Sequence, residues 1–434
     1  MEEVDSESNN KDGVSEVAPA LIAVHPLRSS VAVALGSDLR VFDLLAGCAV
    51  SLVVDDSVSG AAFHKDSIRA IRFGANGKLF VSAGDDKTLN IWSPLSSSSW
   101  RCISTVSSEK RISAVAISND GSYVCFADKF GVVWVVDISG FDTNQPLLDK
   151  RPTPLLSHYC SIITSLEFSP DDRFILSADR DFKIRVTNFP KKPLNGAHEI
   201  QSFCLGHTEF VSCLAFFQAQ KYPQRLLSGS GDSTVRLWVI SSGALLDTCE
   251  VATKAGLLEA NGSGKAEDHG HAVTDLCTTL DGLLVAVAIQ SLQGIVLLSH
   301  NVSAHTLTLA KVVSIEGEAF VPTCLGYSPS ARELWMITGV SGLPGSSHPS
   351  FARIRVISGI DVEQDAVVLG DDKIPGGEKL LETLQGTASV DENAFVAAAE
   401  AVKTAMCNLL IKKQYSSENR ESRKKTRNDR KLKQ

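Results

Sequence analysis

Four residues near the middle of the chain, Arg180, Asp181, Lys183 and Arg185, have types that suit either a binding surface or a solvated strand edge. On an extended strand Lys183 and Arg185 point to one face, while Ile184 and Val186 point to the other. Paired cations of this kind suit carboxylates, which the planar fork of arginine can bind bidentately. Chemistry beyond binding has little support. The run Gly262-Ser263-Gly264-Lys265 is the nearest approach to a phosphate loop, yet Glu259 stands where its first glycine is needed. Ala266 lacks the hydroxyl that would hold magnesium. No strand, Gly-rich turn and helix follow one another as a nucleotide-type cofactor requires. The histidines lie near no nucleophile motif. The ten cysteines include no C-x-x-C pair and no zinc spacing. The sequence therefore predicts no catalytic residue, no cofactor and no metal.

The elements that would position the four residues repeat along the chain. Phe174-Ile175-Leu176 reads as a strand, Ala178 to Asp181 as a tight turn, and Lys183 to Thr187 as an alternating strand. Gly206-His207 then opens another unit. Similar units close at Phe42, Trp92, Trp134, Thr187 and Trp238, with spacings of 50, 42, 53 and 51. Asp86, Asp128, Asp181 and Asp232 each precede the closing position by six residues. A Gly-His opening and a strand after an Asp turn mark a WD-repeat blade. Weaker sixth and seventh units follow around 270–298 and 323–356. The prediction is an all-β, seven-bladed WD-repeat β-propeller over 19–385, whose first strand near Leu21 joins the last blade to close the ring. His207, Asp232 and Trp238 are expected to form a hydrogen-bonded network that fixes blade geometry rather than a site. Thr253 to Asp268 and Gly339 to Ser350 read as exposed insertions.

The ends differ from the body. Residues 1–18 are polar and acidic, without the basic and apolar regions of a signal peptide, and are expected to be disordered. No run is long and apolar enough for a membrane span. Ser389-Val390-Asp391-Glu392 has the form of a capping box. Phe395, Ala399, Val402, Met406, Leu409 and Leu410 follow at helical spacing, predicting a helix over 391–414 within a 386–414 segment. The remainder, 415–434, is a basic tail expected to be disordered. From Lys412 to Gln434 ten Lys/Arg face three Asp/Glu, while the chain as a whole carries −8, so the rest carries −15. Lys412, Lys413, Arg423, Lys424, Lys425 and Arg427 are candidate RNA contacts or an import signal, which puts the expected location in the nucleus.

The run Ser169 to Val186 followed by Phe203 to Ser212 resembles the WD-repeat, non-catalytic subunit of the eukaryotic tRNA (guanine-N7-)-methyltransferase. The resemblance implies a heterodimer with a Rossmann-like catalytic subunit. That partner would bind S-adenosylmethionine and methylate guanine N7 in the tRNA variable loop. It also implies that Arg180, Asp181, Lys183 and Arg185 belong to the partner-binding surface, where the basic residues pair with acidic residues of the partner. The competing expectation is a general propeller adaptor such as a ubiquitin-ligase substrate receptor. Those often carry Trp-Asp-x-Arg after a closing strand. Here Trp92, Trp134 and Trp238 are followed by Ser-Pro, Val-Val and Val-Ile.

Overall fold

A computed structural model describes residues 16–27, 29–54, 63–96, 98–140, 150–158, 161–217, 224–257, 270–346, 348–361, 365–386 and 391–411. Seven sheets follow one another along the chain, each running from an inner to an outer strand, and all described pairings are antiparallel except that Ser51–Val54 adds in parallel to the outer strand Ser99–Ser107 of blade 2. In blade 4 the order is Ile163–Phe168, Phe174–Asp179, Lys183–Asn188 and Ile200–Leu205. Blade 5 repeats it with Val211–Phe216, Arg225–Ser230, Thr234–Val239 and Ala244–Glu250. The middle strands are rich in Val, Ile, Leu and Ala and are buried on both faces, because each blade is packed between two neighbours. One core layer joins Ile184, Val186 and Cys204 of blade 4 to Leu214 and Trp238 of blade 5. Another joins Val133, Val135 and Leu155 of blade 3 to Leu166 and Ile175 of blade 4.

Ring closure differs from the expectation. Leu21–Val24 is the inner strand of blade 1, and it is Ala18–Pro19 that pairs with Val340 and Ser341 of blade 7. Residues 16–18 therefore belong to the ordered body: Ala18 is buried, and Glu16 pairs with Arg111 at 2.6 Å. The seam between blades 7 and 1 is sealed by a helix, Gly377–Gln385, inside the segment expected to be propeller. Its Leu380, Leu381 and Leu384 pack with Phe42, Ile354 and Val356. The Arg40 guanidinium donates to the Leu384 carbonyl, 3.1 Å away, tying this helix to blade 1.

Two expected insertions are partly structural. Gly339 to Ser341 lie in the strand Glu333–Ser341, and Leu343 is buried. A Cβ on Gly339 would sit 2.4 Å from the Phe351 carbonyl oxygen, so only glycine lets these strands approach. Thr253 and Lys254 continue a short helix, Val251–Lys254, while 258–268 lie outside the described residues.

The long helix spans Glu392–Leu410, with Asp391 as N-cap accepting from the Asn393 amide. The helix starts within a residue of the expected position, but its cap is Asp391 and not the Ser389 of the expected capping box, and Ser389 and Val390 lie outside the described residues. Phe395, Ala398 and Val402 dock on Val340, Leu343 and Phe351 of blade 7. Further along, Leu410 meets Phe210 and Ala272, so the helix straps blades 7, 6 and 5. Ala398 rather than Ala399 is buried, and Leu409 is exposed while Leu410 is buried. No described helix is long and apolar enough to cross a membrane.

Candidate partner-binding site

Blade 4 owes its shape to a buried polar network. His158 Nδ1 lies 2.8 Å from Asp179 Oδ2, and its Nε2 lies 2.7 Å from Ser177 Oγ. Asp179 Oδ1 accepts the amides of Asp181 at 2.8 Å and Lys183 at 3.1 Å. Those bonds fold the turn, with Phe182 at a φ of 69°. They fix where Arg180 and Lys183 emerge. The turn is also tied to the inner strand, since the Arg180 amide donates to the Ile162 carbonyl at 2.9 Å.

The network carboxylate of this blade is thus Asp179, and Asp181 is a turn residue. In blades 2 and 5 the corresponding carboxylates are Asp86 and Asp232, as expected. There His64 joins Ser82 to Asp86, and His207 joins Ser228 to Asp232, each at 2.7–2.9 Å. Trp92 and Trp238 donate their indole N–H to the same serines at 3.1 and 2.8 Å. The serine proton then goes to His Nε2, which leaves Nδ1–H to donate to the aspartate. Burial alone would raise the Asp232 carboxyl. The His207, Thr234 and Thr208 hydrogen bonds outweigh that and hold it well below the usual carboxylate range.

Blade 3 departs from the sequence alignment. Cross-strand pairing sets Trp92 opposite Phe80, Thr187 opposite Ile175 and Trp238 opposite Leu226, each twelve residues earlier. In blade 3 that register falls on Val136, opposite Val124. Trp134 sits one pleat before the closing position and donates to Asp128 Oδ2 at 2.9 Å. The six-residue spacing of Asp128 and Trp134 reproduces the template by coincidence.

Lys183 and Arg185 share one face of the third strand of blade 4, beside its outer strand, with Arg180 in the turn before it, and the three differ in setting. Lys183 is exposed, with no carboxylate in ion-pair range among the described residues. Arg185 is half-buried: Nη1 donates to the Ser157 carbonyl of blade 3 at 3.0 Å, and its buried Nε has no hydrogen-bond partner. Burial pushes its guanidinium pKa down, though it stays charged at neutral pH. Arg180 is also half-buried, with a buried, unpartnered Nε. Thr187 shares their strand face and is fully buried. Arg236 occupies the Arg185 position in blade 5, opposite Ser228 as Arg185 is opposite Ser177.

The sequence reading missed His158 and Ser177. The signal was the interval: His precedes its serine by 18, 19 and 21 residues in blades 2, 4 and 5. Lys412, Lys413, Arg423, Lys424, Lys425 and Arg427 lie outside the described residues, as does 262–265.

The serine, histidine and aspartate that line up in this blade, Ser177, His158 and Asp179, are closed to a substrate, because Ser177 is fully buried. Among the described residues no group of three His, Cys, Asp or Glu is arranged to hold a metal ion. A cavity of about 400 Å³ between blades 1 and 2 is lined by Leu39, Val50, Leu52 and Phe63, and its only histidine, His64, is committed to Asp86 and Ser82. The nine described cysteines are unpaired, and burial pushes the thiols of Cys125 and Cys213 up, out of the reactive range.

Residues 145–340 match the family model for the tRNA methyltransferase TRM82 WD40 domain, and 61–93 match a WD domain, G-beta repeat. The chain is 37% identical over 188 residues to the tRNA (guanine-N(7)-)-methyltransferase non-catalytic subunit WDR4 of Bos taurus, covering 43% of this chain and 41% of that protein. The Danio rerio subunit is 35% identical over 54% of this chain and 52% of its own length. The Xenopus laevis subunit is 31% identical over 66% of each. The chain thus spans about two fifths to one half of the first two relatives' length. Among solved structures, U3-55K superposes with a TM-score of 0.56 at 17% identity, over 74% of this chain and 88% of that one, which speaks for the fold alone. Over residues 145–340 the chain is thus similar to the tRNA methyltransferase TRM82 WD40 domain.

Proposed function

We propose that this protein is the non-catalytic subunit of a tRNA (guanine-N7-)-methyltransferase. It holds a separate catalytic subunit in its active conformation at the outer edge of blade 4. One observation carries the reading: on an acidic propeller, the family-matched blade presents Lys183 exposed and unpaired beside Arg180 and Arg185. Lysine without a partner at such an edge favours a carboxylate supplied by another chain. Binding energy there biases the partner toward its competent state, which is a stabilising and allosteric role. S-adenosylmethionine would be bound by the catalytic partner, and tRNA by the complex. The basic run from Lys412 supports a nuclear location.

The test is a co-purification in cells that carry only the Lys183→Glu form, with N7-methylguanosine in tRNA as second readout. Loss of both, with an unchanged melting temperature, is expected. A variant that retains the methyltransferase at wild-type yield and sustains normal modification overturns the reading.

A further inference from the structure

Register brings a second kind of side chain to the same edge. Lys183 lies directly opposite Leu205, and Arg185 directly opposite Phe203, with no bulge between them. Directly opposed residues of an antiparallel pair share one sheet face. The charged pair and Phe203 with Leu205 therefore form one continuous surface, while Ile184 and Cys204 point the other way into the core. Phe203 is 42% exposed, Leu205 59% and the adjacent turn residue Phe182 42%. The outer strand of blade 5 exposes Leu245, and that of blade 6 exposes Leu309, one large apolar side chain each above a third.

The wall is firm. Ser202 Oγ donates to the Ile240 carbonyl and Gln201 Nε2 to the Ser241 carbonyl, fastening this strand to blade 5. At Gly243, with φ +73°, an added Cβ would lie 2.2 Å from the Phe203 carbonyl oxygen, so the blade 5 turn presses directly on the strand. One end of the seam toward blade 3 is closed, because the Ala197 amide donates to the Leu155 carbonyl at 2.7 Å and Pro193 is buried. The other end carries Arg185, Lys183, Phe203 and Leu205.

We propose that Phe203 and Leu205 are the apolar anchors of the blade 4 interface, and that its occupant is an amphipathic segment of the catalytic subunit. That segment would present two or more apolar side chains flanked by carboxylates. This rests on the reading of the protein as a partner-holding subunit. Charge complementarity with Lys183, Arg180 and Arg185 supplies the carboxylates. Phe203 and Leu205 lie about 7 Å apart along the strand, near the roughly 6 Å between residues i and i+4 along a helix. Interfaces of this kind concentrate their energy in a few desolvated apolar and aromatic anchors, with charged groups at the rim setting partner choice.

The experiment measures affinity of the full chain for the purified catalytic subunit in four forms: wild type, Phe203→Ser with Leu205→Ser, Lys183→Glu, and Leu309→Ser as control. Leu309→Ser is expected to bind as wild type. The double serine variant is expected to lose roughly thirtyfold or more, the scale of hot-spot loss. Its circular dichroism and thermal unfolding should match wild type, since both side chains already meet water. If that variant proves unfolded, Leu205→Lys alone is used, because Leu205 is the more exposed. Wild-type affinity of a folded anchor variant, with Lys183→Glu impaired, overturns the apolar anchors and leaves the subunit reading standing. Wild-type affinity of both variants overturns that reading as well. Equal loss in Leu309→Ser shows a non-specific apolar effect and also overturns the anchors.

Discussion

The guanidinium of Arg185 donates through Nη1 to the backbone carbonyl of Ser157, 3.0 Å away across the seam between blades 3 and 4. The residue thus braces two blades while lying at the edge offered to a partner. Arg236, its counterpart in blade 5, likewise reaches the end of the preceding blade's outer strand: an added Cβ on Gly206 would lie 2.5 Å from its Nη1. A basic side chain at this position belongs to the blade architecture as well as to any interface.

The two cations should therefore separate in stability measurements. Arg185→Ala removes a charge-assisted hydrogen bond and is expected to destabilise the protein by about 1–2 kcal/mol. Lys183→Glu, at an exposed and unpaired position, is expected to shift stability by no more than about 0.5 kcal/mol. Urea unfolding of both variants tests the pair. Equal destabilisation would refute the division of labour.

A second expectation concerns acid. The Asp232 carboxyl is held below its ordinary range, so its unfolded form binds a proton at a higher pH than its folded form. The stabilisation it brings is complete above the unfolded carboxylate value of about 4 and is lost as pH falls through the lower folded value. Asp232→Asn should flatten the stability profile below about pH 4 while lowering stability at neutral pH. The neutral-pH loss is of order 2–4 kcal/mol, since His207 Nδ1 and the Thr208 amide lose an ionised acceptor. Melting temperatures from pH 3 to 7 decide it, and a variant with the wild-type acid slope contradicts the linkage.

The strap helix offers a third. Phe395 is buried against Phe351 with ring centroids 4.9 Å apart, and Arg353 lies 5.2 Å above its ring. Phe395→Ala is expected to cost about 3–4 kcal/mol locally, freeing the helix and uncovering Val340 and Leu343 before the propeller melts. Hydrogen exchange should rise first over 392–410. A uniform rise over all seven blades would mean the helix is part of the ring's cooperative unit.

Much of this was legible because each blade repeats a local pattern. Alternation in Lys183 to Thr187 gave the strand, and the Asp232 and Trp238 interval gave the blade 5 network. What escaped depends on pairing between strands distant in sequence. Asp128 and Trp134 fit the six-residue interval, yet cross-strand register assigns the closing role to Val136. Asp181 fits it too, while His158 selects Asp179, two residues earlier. Ala18–Pro19 closes the ring with only two residues, too short a strand for periodicity to reveal. In the sequence Phe203 and Leu205 figure only within the run Phe203 to Ser212, and their exposure emerges from their place on the outer strand of blade 4. Gly377–Gln385 escaped because its leucines cover a seam between the chain's two ends.

The last expectation concerns the basic tail. Ile411, the last described residue, packs with Leu410 near Phe210 of blade 5. The Phe210 carbonyl accepts the Gly231 amide, as the Ile162 carbonyl accepts the Arg180 amide in blade 4. Equivalent bonds lie at the same end of the propeller, so the chain enters its basic run one blade away from Arg180. The run carries ten Lys/Arg against three Asp/Glu from Lys412 onward, a surplus suited to phosphates. Removing 412–434 leaves the packing of the described residues in place, so folding and partner affinity should hold. Affinity of the complex for tRNA should fall, and the log–log salt slope should become shallower by about 0.9 for each duplex phosphate that the tail no longer neutralises. Titrations between 50 and 200 mM salt, roughly the range over which counterion release is steep, measure both quantities. A truncated complex with the wild-type slope and affinity would leave the tail without an RNA role. Nuclear accumulation of the truncated chain would then show whether the tail serves import.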